Sequence, residues 1–515
     1  MWRKNQALVV PTMLSSSITV LSQSIFVIFG LILLLNLESS GALSRIASFV
    51  SDAKYSSAIS ILLSKEVFYS MVVLLGSAAI IAGVVSILAN GFALSAEYIS
   101  YRRALEGRHV SIGEAIYAVK DKWRAMAWTN ILSLFLTYLP LGLASIAVIY
   151  AVYSSHGNLL SAYGTLGLVF VGGIISLLLE FFFMYSTISV ALEDLSGLKA
   201  LKRSFQRTTG YFGVSLKYAV VRFISIAAIS GVGAYSESSI LPISSLASIV
   251  LTILLVPILH LAKTSIFKEM SSPVSLQSAV ALEQRSTLND LFGGPYAKYA
   301  LSVLRKSLST LKGFVFAKGN LIYHLASAFA FLAGVGVGSY VAVNGLSSAI
   351  LTLGYQEGRI NPTILKAIPL SEGFDIFLHN WTVSLATGLS GIWLVVPSLV
   401  TLGFNGVILG VVYHLTPSTT MFVAAIFPHG IIEIPSFVIA GSTGVKLGVA
   451  FLRAHGYSAS KNKEGERPAD KDVEKFHQVA RETVYVLIGL AILFFIAGFI
   501  EGNITPMIMR AAGFH

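Results

Sequence analysis

A histidine and a glutamate four residues apart, His429 and Glu433, lie within an apolar stretch of this chain. On a helix they share one face, where imidazole and carboxylate could bind a metal, move a proton or join a buried hydrogen-bond network. A metal site needs three or four ligands, and only His379, His414 and Asp375 offer further ones; the H-E-x-x-H arrangement is absent. We therefore expect no metal and no cofactor, and keep a proton or substrate site and a structural network as alternatives.

Two asparagines and two prolines accompany this pair. Asn380 and Asn405 are natural partners for it, because an amide side chain both donates and accepts hydrogen bonds. Pro428 suits the first turn of a helix that carries His429, whereas Pro435 would kink that helix and free a carbonyl. A kinked helix inside a bundle typically lines a cavity or a protein contact.

Glycines on either side of the pair predict close helix packing. Gly406 with Gly410, and Gly444 with Gly448, have G-x-x-x-G spacing, which lets helix backbones approach each other. Gly441 extends the second pattern.

A second candidate site consists of Glu180 and Arg222. Each lies about ten residues from the same end of two consecutive apolar segments, so the two groups should reach similar depth. An isolated charge at mid-bilayer costs ~2.5–3.5 kcal/mol, which predicts an intramembrane ion pair between them. The pair could line a polar pathway or only fix the packing. His260 and Lys217 lie near helix ends and are predicted to extend toward the membrane surface.

The composition places these residues in a membrane. Hydrophobic residues make up 55% of the 515 residues and charged residues 12%, with a mean hydropathy of +0.76. Soluble domains carry roughly 25% charge, so a soluble enzyme, a disordered chain and a nucleic-acid-binding module are excluded. The chain has no cysteine, which excludes disulfides and thiol catalysis.

Apolar segments of about 20 residues predict an all-α, polytopic membrane bundle of about eleven transmembrane helices in two bundles. The first, near residues 13–37, is too long for a signal-peptide core and is predicted to be retained. The remaining spans lie near 67–90, 127–153, 162–191, 212–235, 241–267, 319–344, 380–396, 397–415, 429–452 and 483–502.

The basic residues predict the orientation of the chain in the cell membrane. Segments 1–12, 91–126, 192–217, 263–318 and 446–482 together hold 29 of the 36 lysines and arginines. By the positive-inside rule these segments are cytoplasmic, with the N-terminus inside and the C-terminus outside. The net charge of +11 therefore reflects membrane loops and not a nucleic-acid surface.

The predicted domains are a six-helix membrane domain (1–267), a cytoplasmic amphipathic linker (268–318) and a five-helix membrane domain (319–515). Residues 300–314 predict an amphipathic helix on the membrane, or else an ordinary connector. Two Ser-initiated basic segments, at 111–124 and 196–207, form a faint repeat that predicts binding of anionic headgroups. Their connector resembles those of uncharacterised prokaryotic six-span domains.

The C-terminal motifs resemble the stage II sporulation protein M family over residues 319–502. They are Phe404-Asn405-Gly406 with Gly410, the run Pro428-His429-Gly430-x-x-Glu433-Ile-Pro435, and Gly441-x-x-Gly444-x-Lys446-x-Gly448. The resemblance implies a five-span domain that, in spore formers, anchors cell-wall-remodelling partners and is not itself the hydrolase. The additional N-terminal half departs from the sporulation protein, and the outside loop 345–379 offers a docking surface.

Three functions remain after the sequence analysis. The first is a scaffold or anchor for an envelope or membrane-remodelling complex, whose partners are membrane lipids and other membrane or envelope proteins; a homo-oligomer is an open alternative. The second is a transporter or lipid-handling protein with a polar intramembrane cavity. The third is an intramembrane hydrolase, which has weak support because Ser436 lies about two turns from His429. We expect a protein that is not itself an enzyme.

Overall fold

A computed structural model describes residues 9–51, 54–108, 119, 122–154, 159–235, 255–271, 295–343, 370–416, 418–456 and 470–513. Within these ranges the regular structure is helical and contains no strand. The chain forms two compact units. Unit 1 comprises Met1–Ser15, Ile87–Gly231 and Ile249–Gln284, and unit 2 comprises Ser16–Ser86, Val232–Ser248 and Arg285–His515. The fold class predicted from the composition, an all-α polytopic bundle, is confirmed.

The helices of the N-terminal half include three that contribute to both units. They are α1 (Val9–Ser39), α2 (Ala42–Ser51), α3 (Tyr55–Leu62), α4 (Lys65–Leu105), α5 (Trp123–Ser154), α6 (Leu159–Phe183), α7 (Ser186–Glu193), α8 (Leu198–Gly210), α9 (Phe212–Tyr235) and α10 (Val256–Ser271). The division between the units falls within α1, within α4 and, after Gly231, within α9. The core of unit 1 is built on large buried side chains that include Tyr98, Tyr101, Met126, Tyr185 and Phe267.

The helices of the C-terminal half all belong to unit 2. They are α11 (Pro295–Phe316), a short 3-10 turn (Lys318–Asn320), α12 (Leu321–Val341), α13 (Leu370–Ser390), α14 (Val396–Leu415), α15 (Thr419–Gly456), α16 (Asp470–Phe499), a π-helical turn (Ile500–Ile504) and α17 (Thr505–Ala511). Phe314, Phe437, Phe476 and Phe494 are buried within this unit. The amphipathic helix predicted at 300–314 is the central part of α11, and its Leu311 and the carbonyl of Ser307 pack closely on Gly489 of α16.

Eight of the described helices are long and apolar enough to cross a membrane, and nine if the bent pair α8–α9 is counted. Two of the differences from the predicted eleven have clear origins. The predicted span 241–267 falls partly on residues 236–254, which lie outside the described residues. The predicted span 380–396 is not among these helices: α13 ends at Ser390, and a turn follows at residues 391–395. Large apolar side chains such as Phe170, Phe223 and Phe329 are exposed along these helices, as contact with lipid requires.

Glycines let α12 and α14 run side by side in the same direction. A Cβ atom added at Gly334 or Gly338 would collide with the carbonyl of Gly403 or Val407, respectively. Conversely, a Cβ at Gly406 would collide with the carbonyl of Phe331, and one at Gly410 with that of Val335. The residue numbers of the contacting positions increase together along α12 and α14, so the two helices are parallel. Helix α13, which lies between them in the sequence, returns the chain.

A second close contact joins α15 to the α13–α14 turn. A Cβ at Gly444 would meet Ser398, one at Gly448 would meet the carbonyl of Gly391, and one at Gly441 would meet Leu402. Within this turn Leu394 and Val395 have positive φ angles of 63° and 71°, a conformation that residues other than glycine rarely adopt and that is least favourable for the β-branched Val395. The turn therefore depends on close support from α15.

Candidate functional site

His429 lies well inside a continuous helix. The sequence analysis placed Pro428 in the first turn of this helix, and that prediction is wrong: α15 begins at Thr419, and both Pro428 and Pro435 are interior. A proline has no N–H, so the carbonyls of Ala424 and Ile431, four residues before each, lose their helical donors. Proline is tolerated in membrane helices where neighbouring groups compensate, and His429 is buried against the C-terminal segment of the chain.

A π-helical turn brings a second glutamate, Glu501, to His429. The turn spans Ile500–Ile504, directly before α17. Pro506, close to the start of α17, cannot donate a helical hydrogen bond, which favours an irregular turn before it. Short π-helical turns inside helices occur frequently at functional sites. Glu501 was not predicted as a site residue, because no sequence motif connects it with residue 429.

His429, Glu433 and Glu501 form one cluster. One potential ligand atom from each residue lies within 4.8 Å of the others. His429 Nε2 is 4.0 Å from Glu501 Oε2, which is beyond hydrogen-bonding distance, and His429 Nδ1 is 3.4 Å from the hydroxyl oxygen of Thr505. The imidazole is buried, while 34% of the Glu501 side chain is exposed.

The carboxylate of Glu433 is incompletely satisfied. Its Oε2 atom is buried and has no hydrogen-bond partner. Among the salt bridges of the described residues, none joins a lysine or arginine to Glu433 or Glu501. A buried, unpaired carboxylate is costly unless it is protonated or bound to a cation. The cluster can therefore hold a proton or a cation.

The other residues predicted for this site have different surroundings. Asn405 donates from Nδ2 to the carbonyl of Thr401, within its own helix α14, at 2.9 Å. Asn380 is half-buried on α13. The Ser436 hydroxyl donates to the carbonyl of Ile432 at 2.7 Å, so its recorded hydrogen bond does not lead to His429. This geometry gives no support to a serine-based hydrolase.

Helices α15 and α16 meet in a second polar contact at the far end of the bundle. Lys446 Nζ lies 2.6 Å from Glu482 Oε2. His324 Nδ1 lies 3.0 Å from the Ser442 hydroxyl nearby. Along α15, Lys446 is about 25 Å from His429 at 1.5 Å per residue. The described residues of unit 2 thus include a charge-matched contact and, toward the other end of α15, a cluster with excess negative charge.

In unit 1, the structure places Glu180 and Arg222 close together. Arg222 Nη1 lies 3.8 Å from Glu180 Oε1, and 43% and 48% of the respective side chains are exposed. The distance is at the long end of the range for an ion pair, and the two groups approach without a hydrogen bond. This pair lies at the surface of the unit.

A more deeply buried network in unit 1 was missed by the sequence analysis. Glu97 is 1% exposed, and its Oε1 accepts a hydrogen bond from the Tyr101 hydroxyl and lies 2.8 Å from His260 Nδ1. Lys263 Nζ lies 3.3 Å from the Tyr98 hydroxyl and 5.7 Å from the centre of its ring. His260 thus pairs with a buried carboxylate of α4, while 25% of its own side chain is exposed. The i, i+4 spacing of Glu97 and Tyr101 was the available signal.

The basic helix α8 is tied to its own unit. It is bent by 99° from α9. Arg203 forms two hydrogen bonds to Glu193, of 2.7 and 2.8 Å, which raise the pKa of its guanidinium, and Arg207 also contacts Glu193. Lys199 and Lys202 are exposed. The first copy of the predicted repeat, at 111–124, lies mostly outside the described residues.

Comparison with known proteins gives one match. The family model described as Stage II sporulation protein M matches residues 327–506, which contain His429, Glu433, Glu501 and all the close glycine contacts of α12, α14 and α15. No curated protein and no solved structure matches the chain. The family predicted from the C-terminal motifs is confirmed, and this part of the chain is a stage II sporulation protein M domain in an integral membrane protein.

Proposed function

We propose that the protein is a membrane anchor that holds other membrane or envelope proteins in an envelope-remodelling complex. The observation that carries the proposal is the backbone-to-backbone packing of α12, α14 and α15 at glycines. Such contacts leave little freedom for one helix to move past another, because any shift brings a side chain against a carbonyl. A rigid bundle suits a protein that positions partners.

The match to the sporulation family over residues 327–506 adds support, since the family resemblance implies an anchoring role. We further propose that the N-terminus is cytoplasmic and the C-terminus external, from the distribution of lysines and arginines. Lys199 and Lys202, exposed on α8, are then placed to contact anionic headgroups.

A crosslinking experiment tests the anchor. A photoreactive amino acid is placed at Tyr355, in the loop predicted to dock a partner, and separately at Phe329, which is 74% exposed on α12. Crosslinks are formed in native membranes and identified by mass spectrometry. We expect discrete adducts with proteins that bind or remodel the envelope. Adducts with lipid alone at both positions would contradict the proposal.

Two glycine substitutions show whether partner binding depends on the rigid bundle. Gly338→Leu forces a side chain against the Val407 carbonyl, whereas Gly336→Leu, two residues away on the same helix, meets nothing within 4 Å. Overpacking costs typically about 1–3 kcal/mol. We expect the adducts to be lost in Gly338→Leu and retained in Gly336→Leu, with both chains present in the membrane at equal levels.

Ion transport is the second candidate function, favoured by one observation. The His429 cluster combines a buried imidazole with a glutamate that is one-third exposed, as expected of a site reached from one side of the membrane. Purified protein in liposomes would then move protons or divalent cations, and Glu433→Gln would abolish the flux.

A further inference from the structure

We propose that His429, Glu433 and Glu501 bind a divalent first-row transition-metal ion, such as Zn²⁺ or Mn²⁺, between α15 and the C-terminal π-helical turn. The three residues come from two separate segments of the chain, which the fold brings together. One imidazole and two carboxylates are borderline-to-hard ligands that suit these ions, and the imidazole disfavours Ca²⁺ and Mg²⁺.

The distances fit a site that needs little adjustment. Ligands held at ~2.0–2.2 Å from an ion lie about 3–4 Å from one another. The three ligand atoms lie within 4.8 Å, and His429 Nε2 and Glu501 Oε2 are 4.0 Å apart. Small side-chain rotations close the remaining gap. Three protein ligands leave a fourth position for water or another ligand.

Thr505 prepares the histidine for this role. Its hydroxyl oxygen lies 3.4 Å from His429 Nδ1 and can accept the Nδ1 proton. The neutral imidazole then carries its free lone pair on Nε2, the nitrogen that faces Glu501. Metal-binding histidines are usually oriented by such a hydrogen bond from the other ring nitrogen.

The charges call for a cation. Glu433 has a buried oxygen without a hydrogen-bond partner, and Glu501 adds a second carboxylate to the same cluster. A divalent ion neutralises both carboxylates at once, which a single shared proton does not. The exposed part of Glu501 provides the entry path that a metal site requires.

The test measures metal in the full-length protein in detergent. Bound Zn²⁺ and Mn²⁺ are determined by elemental analysis and, after chelator treatment, by titration of each ion. The variants are His429→Ala, Glu433→Gln and Glu501→Gln. The matched controls are His414→Ala and Glu474→Gln, which remove an imidazole and a carboxylate from exposed positions in the same unit. Size-exclusion profiles establish that each variant is folded.

We expect one ion per chain in the wild type and both controls, and loss of binding in each of the three variants. Thr505→Val should bind about 10- to 100-fold more weakly, since it only removes the hydrogen bond to the ligand. Spectroscopy of the Co²⁺-substituted chain should report nitrogen and oxygen ligands only. The proposal is overturned if the wild type binds neither Zn²⁺ nor Mn²⁺, or if the folded variants bind as much metal as the controls.

Discussion

The two units each bury acidic side chains, but they satisfy them in different ways. In unit 1, Glu97 contacts a tyrosine hydroxyl and a histidine, and Lys263 of α10 contacts the adjacent Tyr98. In unit 2, Glu433 and Glu501 converge on His429 with a buried oxygen left unpaired. The first arrangement is complete within the chain, whereas the second needs a proton or a cation from outside. Polar groups inside a membrane protein therefore have to be judged by their partners and not only by their depth.

The largest loss of stability should follow from removing one contact of the buried Glu97 in unit 1. His260→Leu takes away a contact of the buried Glu97 carboxylate and supplies none in return. Removing one member of a buried pair typically costs about 3–5 kcal/mol. We expect a correspondingly large drop in the denaturation midpoint in detergent. A midpoint equal to that of His414→Ala, an exposed histidine, would show that Glu97 does not depend on His260.

A smaller change in stability, of the opposite sign, should follow from Glu433→Gln in unit 2. Glu433→Gln replaces an unsatisfied carboxylate by a neutral amide of the same shape. A buried carboxylate without a cation costs more than a neutral amide at the same place, so in metal-free protein we expect Glu433→Gln to be as stable as the wild type or more stable. Stabilisation by added Zn²⁺ or Mn²⁺ should be lost. Destabilisation of the metal-free variant would mean that Glu433 has a structural partner, as Glu97 has.

The smallest effect concerns Glu180 and Arg222, which lie 3.8 Å apart with nearly half of each side chain exposed. Polar contacts between membrane-spanning helices contribute on average about 0.6 kcal/mol in double-mutant cycles. We expect Glu180→Arg and Arg222→Glu each to lower stability slightly, and the double swap to restore most of the loss. A double variant that is no more stable than the two single variants would show that Glu180 and Arg222 do not interact.

The sequence was sufficient for the features that depend on local pattern. Continuous apolar segments predicted the helices, and glycine spacing predicted where helices approach closely, because both signals lie within one segment. The Glu180–Arg222 proximity followed from counting residues from a common membrane face. In the same way, the motif around His429 was enough to identify the family of the C-terminal domain.

The sequence was insufficient where residues meet from distant segments. Glu501 and Thr505 reach His429 only because α15 and α16 pair lengthwise and a π-helical turn changes the direction of the side chains that follow. No spacing rule relates positions 429 and 501. Asn405 was predicted as a partner from its polarity, yet its amide donates within its own helix, a local alternative that polarity does not reveal.

The parallel course of α12 and α14 has a consequence for how the protein is made. The chain enters the membrane from its N-terminal side, so α12 is inserted before α13 and α14 have been synthesised. Its glycine face, at Gly334 and Gly338, cannot make its contacts until α14 has been inserted. In lipid no hydrophobic force draws helices together, so this face is stabilised only by close packing against α14. The close packing of α12 is therefore completed only after α14 has been inserted.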